Sequence, residues 1–90
     1  VLLTHSRGLA ILRGVQLMYL CDLKTGDVLV QGNHGGFWVV MDPVPNSYAI
    51  HVYNRKTGDT RSLRGEFVPD VYVEVMRGNR TIWRRSGGGR

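Results

Sequence analysis

Ninety residues make room for one domain with a modest core. A lone cysteine, Cys21, excludes an internal disulfide and a four-cysteine zinc site, and it points to a cytoplasmic or other reducing compartment. The net charge of +5 excludes little by itself, but it is unevenly placed: residues 55–90 hold nine bases against four acids, while bases and acids cancel before them. Such a basic end suits a phosphate-bearing or acidic partner, or serves as a solubilising tail.

In chain order, His5 to Arg13 reads as one short amphipathic helix. Thr4 or Ser6 is its N-cap and Leu9, Ile11 and Leu12 are its apolar positions, with Gly8 and Gly14 weakening it. Val15 to Cys21 is a buried strand or a continuation of that helix, which periodicity does not decide. It is far too short to span a bilayer, so no membrane partner is expected. Thr25-Gly26-Asp27 is turn chemistry and Val28-Leu29-Val30 a strand. Gln31 to Gly36 is a glycine-rich loop, and Phe37 to Met41 a strand rich in aromatic and β-branched residues. The prolines of DPVPN break that strand.

Ser47 to Asn54 carries strict alternation, with Tyr48, Ile50 and Val52 on one face and Ser47, Ala49, His51 and Tyr53 on the other. RKTGD is a hairpin turn, and TRSLR returns as a polar strand at an edge. In GEFVPDVYVEV, residues 65–75, Val71, Val73 and Val75 alternate with Tyr72 and Glu74. RGNR is a further turn, TIWRR a last short strand, and residues 86–90 a flexible glycine-rich tail. KTGD occurs twice, at Lys24 to Asp27 and at Lys56 to Asp59, as reused turn chemistry with unlike flanks. Five to seven short strands separated by turns imply a small barrel or a sandwich over residues 1–85.

The order of these features resembles an SH3 domain over about half the chain. LKTGDVLV is similar to the family's Gly-Asp step into a strand. YNRKTGDTRSLRGEFVPDVYVEV is similar to its distal hairpin, Phe-Pro pair and Tyr-Val-Glu ending, most of all in the phosphoinositide 3-kinase regulatory subunit. The family's Ala-Leu-Tyr-Asp-Tyr motif and its long acidic loop have no counterpart here. The resemblance implies a small SH3-like barrel and a non-enzymatic module that binds a protein segment, alone or within a larger assembly. By it, Trp38, Pro69 and Tyr72 lie on a groove for a polyproline II ligand. Tyr53, beside charges, is a further surface candidate for ligand contact.

Two other constellations compete. Small barrels also bind nucleic acid with aromatic platforms and basic grooves. Phe37, Trp38, Tyr48, Tyr53 and Trp83 are interleaved with bases that include Arg61, and Arg55, Lys56, Arg80, Trp83, Arg84 and Arg85 are the residues for that reading, through the basic C-terminal third. GGFWVVMDPVPNSYAI also looks somewhat like the SH3-like DNA-binding domain of retroelement integrases. Against this, Trp38 and Tyr48 lie in strands and are expected in the core, whereas Trp83, like Tyr53, is expected at the surface.

The second constellation is Cys21, His34 and His51, which resembles the Cys–His arrangement of papain-like NlpC and lecithin:retinol acyltransferase hydrolases. In those families the cysteine opens a helix, whereas Cys21 follows an apolar run, so an inert thiol is the favoured reading. The three histidines lack metal-ligand spacing, and neither metal nor cofactor is expected.

Overall fold

The computed structural model describes residues 9–12 and 14–85. All of its extended structure is antiparallel: β1 (Leu9–Leu12), β2 (Val15–Met18), β3 (Val28–Gln31), β4 (Gly36–Val40), β5 (Ile50–Asn54), β6 (Thr60–Leu63), β7 (Tyr72–Arg77) and β8 (Arg80–Arg84). β1 and β2 form a hairpin of their own, and the other six make one sheet in the order β6-β5-β4-β3-β7-β8. The fold is therefore all-β and barrel-like, with eight strands where five to seven are expected. Residues 86–90 lie outside the described part.

The N-terminal helix is replaced by β1 over Leu9–Leu12; the rest of the segment from His5 to Arg13 lies outside the described residues. LAIL is too short for its apolar run to separate the helical period from the strand period. Gly14 decides the matter locally. It sits at φ 80, the left-handed conformation that a tight hairpin turn needs, and Leu12 faces Val15 across it. The undecided segment after it is β2, followed by one 3₁₀ turn at Leu20–Asp22.

β2 closes the open side of the sheet. The Val68 amide donates to the Met18 carbonyl (2.9 Å) and the Leu20 amide to the Glu66 carbonyl (2.8 Å), with Tyr19 and Phe67 bridged and their rings stacked at 5.1 Å. The core beneath joins Met18, Leu20 and Leu23 to Val40, Val52, Leu63 and Val68. One inward row crosses five strands: Trp83, Val75, Leu29, Trp38 and Asn54 are successive cross-strand partners, all buried.

Two bulges set which side chains enter this core. In β7, Val30 faces Glu74 but Gln31 faces Tyr72, so Val73 is the extra residue. The simple alternation of Val71 to Val75 is thereby broken. Tyr72 and Val75 both turn inward, at 1% and 0% exposure, while Val71 and Val73 face water. In β8, Ile82 is skipped between Trp83 and Thr81. Alternation also misplaces Tyr48, which precedes β5 and is 95% exposed, whereas Ala49 is buried.

The two KTGD copies are both turns, each with its glycine at positive φ, but they are anchored differently. Asp27 is buried and accepts from its own turn, at Lys24 N (2.8 Å), and from Arg77 through Nε and Nη2 (2.8 Å each). Arg77 Nη2 also reaches the Asp22 carbonyl. The hydrogen bond to Asp27 raises the Arg77 pKa above the ordinary arginine value; burial opposes the shift and the charges of Asp27 and Asp22 add to it. This contribution to stability is fully present below the ordinary value and is lost only as pH climbs through the raised one, far above neutrality. In the second copy Asp59 is exposed, and Asn54 Oδ1 holds the turn instead by accepting from Lys56 N and Thr57 N.

Candidate functional site

Antiparallel register orients the barrel. At one end, called the mouth here, lie the Gly32–Gly35 turn, the turn after Asn54, the start of β7 and the end of β8; Asp27, Arg77 and Gly78 lie at the other. Asn33 and His34 have φ 55 and 63, and the Gly35 amide donates to the Gly32 carbonyl, which is the type I′ turn that suits strand twist.

A polar cluster is built just inside the mouth. Arg61, on the edge strand β6, reaches across the opening. Its guanidinium lies over the Trp38 ring at 3.8 Å, and Nη1 donates to Gln31 Oε1 (3.1 Å) and to the Tyr72 hydroxyl (3.0 Å). Trp38 Nε1 donates to the same Gln31 Oε1 (2.9 Å) and to the Gly35 carbonyl (3.2 Å). Gly35 has a steric reason to be glycine, because a Cβ there would collide with the Gln31 side chain. Bonds from β6 to β3 and β7, which are not its sheet neighbours, show how far the sheet curls.

The outer face of the sheet has a different character. Register places Thr81, Met76, Val28, Val39, Tyr53 and Thr60 in one outward row. The row nearer the mouth runs Arg84, Glu74, Val30 and Phe37, with Arg55 bonded through its amide to the Phe37 carbonyl. Phe37 is 50% and Tyr53 37% exposed.

The four residues named for a ligand groove do not form one surface. Trp38 and Tyr72 are both buried and are joined by Arg61. Tyr53 is on the opposite side of the sheet from Trp38, whose partner is Asn54. Pro69 precedes β7, and its carbonyl accepts from Tyr72 N (3.0 Å) and Arg85 Nη2 (3.0 Å).

The basic set divides in the same way. Arg85 is a structural residue, 13% exposed, whose guanidinium also donates to the Val68 and Tyr72 carbonyls and lies 4.8 Å over Trp83. Trp83 itself is a core residue at 3% exposure, not the surface aromatic expected from its charged neighbours. Arg84 pairs with Glu74 (3.4 Å), Arg55 and Lys56 occupy the mouth-end turn, and Arg80 stands at the opposite end. Truncating Arg85 to Ala should cost about 1–3 kcal/mol, the range for stranding buried hydrogen-bonding groups, with Lys recovering only part of it. A urea titration of the two variants measures both.

The Cys–His set is likewise spread out. Cys21 is exposed in the 3₁₀ turn before β3, and His34 occupies the turn beyond the other end of that strand. His51 has Ser47 Oγ at Nε2 (3.3 Å) and Ser62 Oγ at Nδ1 (3.0 Å). No hydrogen bond links Cys21 to either histidine among the described residues. Among those residues there is also no metal-binding group of three or more His, Cys, Asp or Glu, and no helix long and apolar enough to cross a membrane.

The sequence shows Arg61 only as one of the bases interleaved with aromatics; its place across the mouth is hidden because TRSLR looks like an ordinary polar edge. The only available signal is an arginine at the inward position opposite Val52. No family model matches the chain, and no curated protein or solved structure matches it either.

Proposed function

We propose that the chain is a non-enzymatic binding module that docks an acidic, apolar protein segment on the outer face of its sheet. One observation carries this reading. The water-facing rows of an antiparallel sheet are ordinarily polar, but here the half-exposed Val28 and Val30 and the exposed Phe37 and Tyr53 adjoin one another there, around Val39, which they leave only 8% exposed. Charge argues for the occupant. The mouth-side row begins at Arg84, which Glu74 pairs, and ends beside Arg55, and the whole chain carries +5. A second copy would bring the same net positive charge to the contact, whereas a partner with carboxylates around an apolar centre meets both features. The nucleic-acid reading has weaker support, because Trp83 and Arg85 are engaged inside the fold and Arg80 lies at the far end.

Selection of short random peptides on the immobilised protein tests this. Binders should combine aromatic or aliphatic residues with Asp and Glu. Binding should fall about tenfold or more in Phe37→Ser/Tyr53→Ser, the loss expected of central aromatic anchors, while the unfolding midpoint stays near that of the parent. Binders without this composition, or binders indifferent to the double substitution, would overturn the proposal. So would tight binding of a labelled oligonucleotide at physiological salt that survives the same substitution, since phosphate contacts weaken steeply with salt.

A further inference from the structure

The Arg61 cluster has features that packing alone does not require. Arg61 is exposed, yet its guanidinium is fixed by three neighbours from three strands: Trp38 below it, and Gln31 and Tyr72 at one nitrogen. Arginine ordinarily finds a carboxylate when it is held this firmly. Among the described residues Arg61 has none. Both hydrogens of Nη1 are spent on Gln31 and Tyr72. Among the described residues the Nε and Nη2 hydrogens have no partner; they lie on the adjoining edge of the guanidinium fork.

That edge is the one that takes a carboxylate side-on through two parallel hydrogen bonds. The indole covers one face of the cation, so the guanidinium is partly stripped of water before any ligand arrives. Gly35 leaves room for the Gln31 side chain, and Gln31 holds both Trp38 and Arg61. The cluster is therefore prepared in advance, and a ligand loses little freedom in ordering it.

We infer that Arg61, set on Trp38 and braced by Gln31 and Tyr72, is a receptor for a single carboxylate presented by a peptide, either an acidic side chain or a free C-terminus. One guanidinium balances one negative charge, and its two remaining donors lie in a plane as a carboxylate's oxygens do. A phosphate carries nearly twice that charge and is better matched by several cations. This site lies at the mouth and is independent of the apolar outer face.

Nuclear magnetic resonance of the isotope-labelled protein reads the site directly, through the Arg61 Nε–H and Trp38 Nε1–H signals. Sodium acetate should move both signals saturably, and sodium chloride of equal ionic strength should not. Arg61→Lys keeps the charge but loses the planar fork, so it should weaken acetate binding about tenfold; Phe37→Ser should leave it unchanged. Two blocked peptides then separate the sources, one with a free C-terminus and one amidated but carrying Glu, and binding of either supports the assignment. Equal responses to chloride and acetate, an unaffected Arg61→Lys variant, or silence from both peptides would each overturn it. Tighter binding of inorganic phosphate than of acetate would overturn the choice of carboxylate.

Discussion

Replacing Arg77 with Met should destabilise the protein by about 2–4 kcal/mol, and should do so more than replacing its partner Asp27 with Asn. The two residues share one ion pair but not one environment. The Asp27 side chain is 2% exposed and that of Arg77 38%. Without Arg77, a buried carboxylate keeps only the Lys24 amide as a charge-compensating donor, and stranding a buried charge is the costly way to break such a pair. Without the Asp27 charge, Arg77 turns into water, and the Asn oxygen still accepts from Lys24 N. The asparagine variant should therefore lose only about 1–2 kcal/mol, the scale of hydrogen bonds to charged groups. For a domain of this size each kcal/mol moves the unfolding midpoint by roughly 4–8 °C. Thermal unfolding of the two variants checks both the size and the order, and equal losses would mean that burial does not distinguish the partners.

Trp83→Ala should cost more still, about 3–5 kcal/mol, the usual range for emptying a tryptophan site in a core. Trp83 ends the inward row that runs through Val75, Leu29 and Trp38, and its Nε1 donates to the Gln16 carbonyl of β2 (3.3 Å). It thereby ties the sheet to the hairpin that closes it. Its neighbours behave otherwise. Arg80→Ala and Arg84→Ala should each stay within about 0.5 kcal/mol of the parent, because a surface ion pair such as Arg84–Glu74 contributes little. Urea titration of the three variants separates the roles. A neutral Trp83→Ala would place this ring back at the surface, where the charges around it suggest it belongs.

Much of the fold is legible in the sequence because turns are local. Gly26 and Gly58 lie at positive φ where the KTGD copies announce turns, and TRSLR is an edge strand as its polarity suggests. Three features are less legible, each for a physical reason. Four apolar residues before Arg13 fit a helix or a strand, and the two-residue Arg-Gly link between LAIL and VQLM is the signal that favours a hairpin. Alternation predicts faces only while register is regular, and the bulge at Val73 reverses it for Tyr72. Trp83 looks exposed between arginines because it is not visible in the sequence that Arg85 folds back onto the 68–72 backbone.

The candidate site is less legible than the fold. Trp38 and Tyr72 stand out as aromatics and do meet, but the residue that joins them, Arg61, lies on an unremarkable edge. SH3 domains carry a long acidic loop that meets a basic ligand residue, and that loop has no counterpart here. The mouth of this protein instead carries a cation, Arg61.

The Arg85 staple also bears on how the chain is made. Its donors hold carbonyls of Val68, Pro69 and Tyr72, and Trp83 beside it completes the inward row. During synthesis, residues 9–77 emerge from the ribosome before either of these arrives. They can pair β3, β4, β5 and β6 through neighbouring hairpins, and the segment between β6 and β7 can already bond to Met18 and Leu20, but its carbonyls at 68–72 still lack their arginine donor. A chain that ends before Trp83 and Arg85 should thus be more protease-sensitive around Pro69 than one that includes them, as limited proteolysis of the two would show.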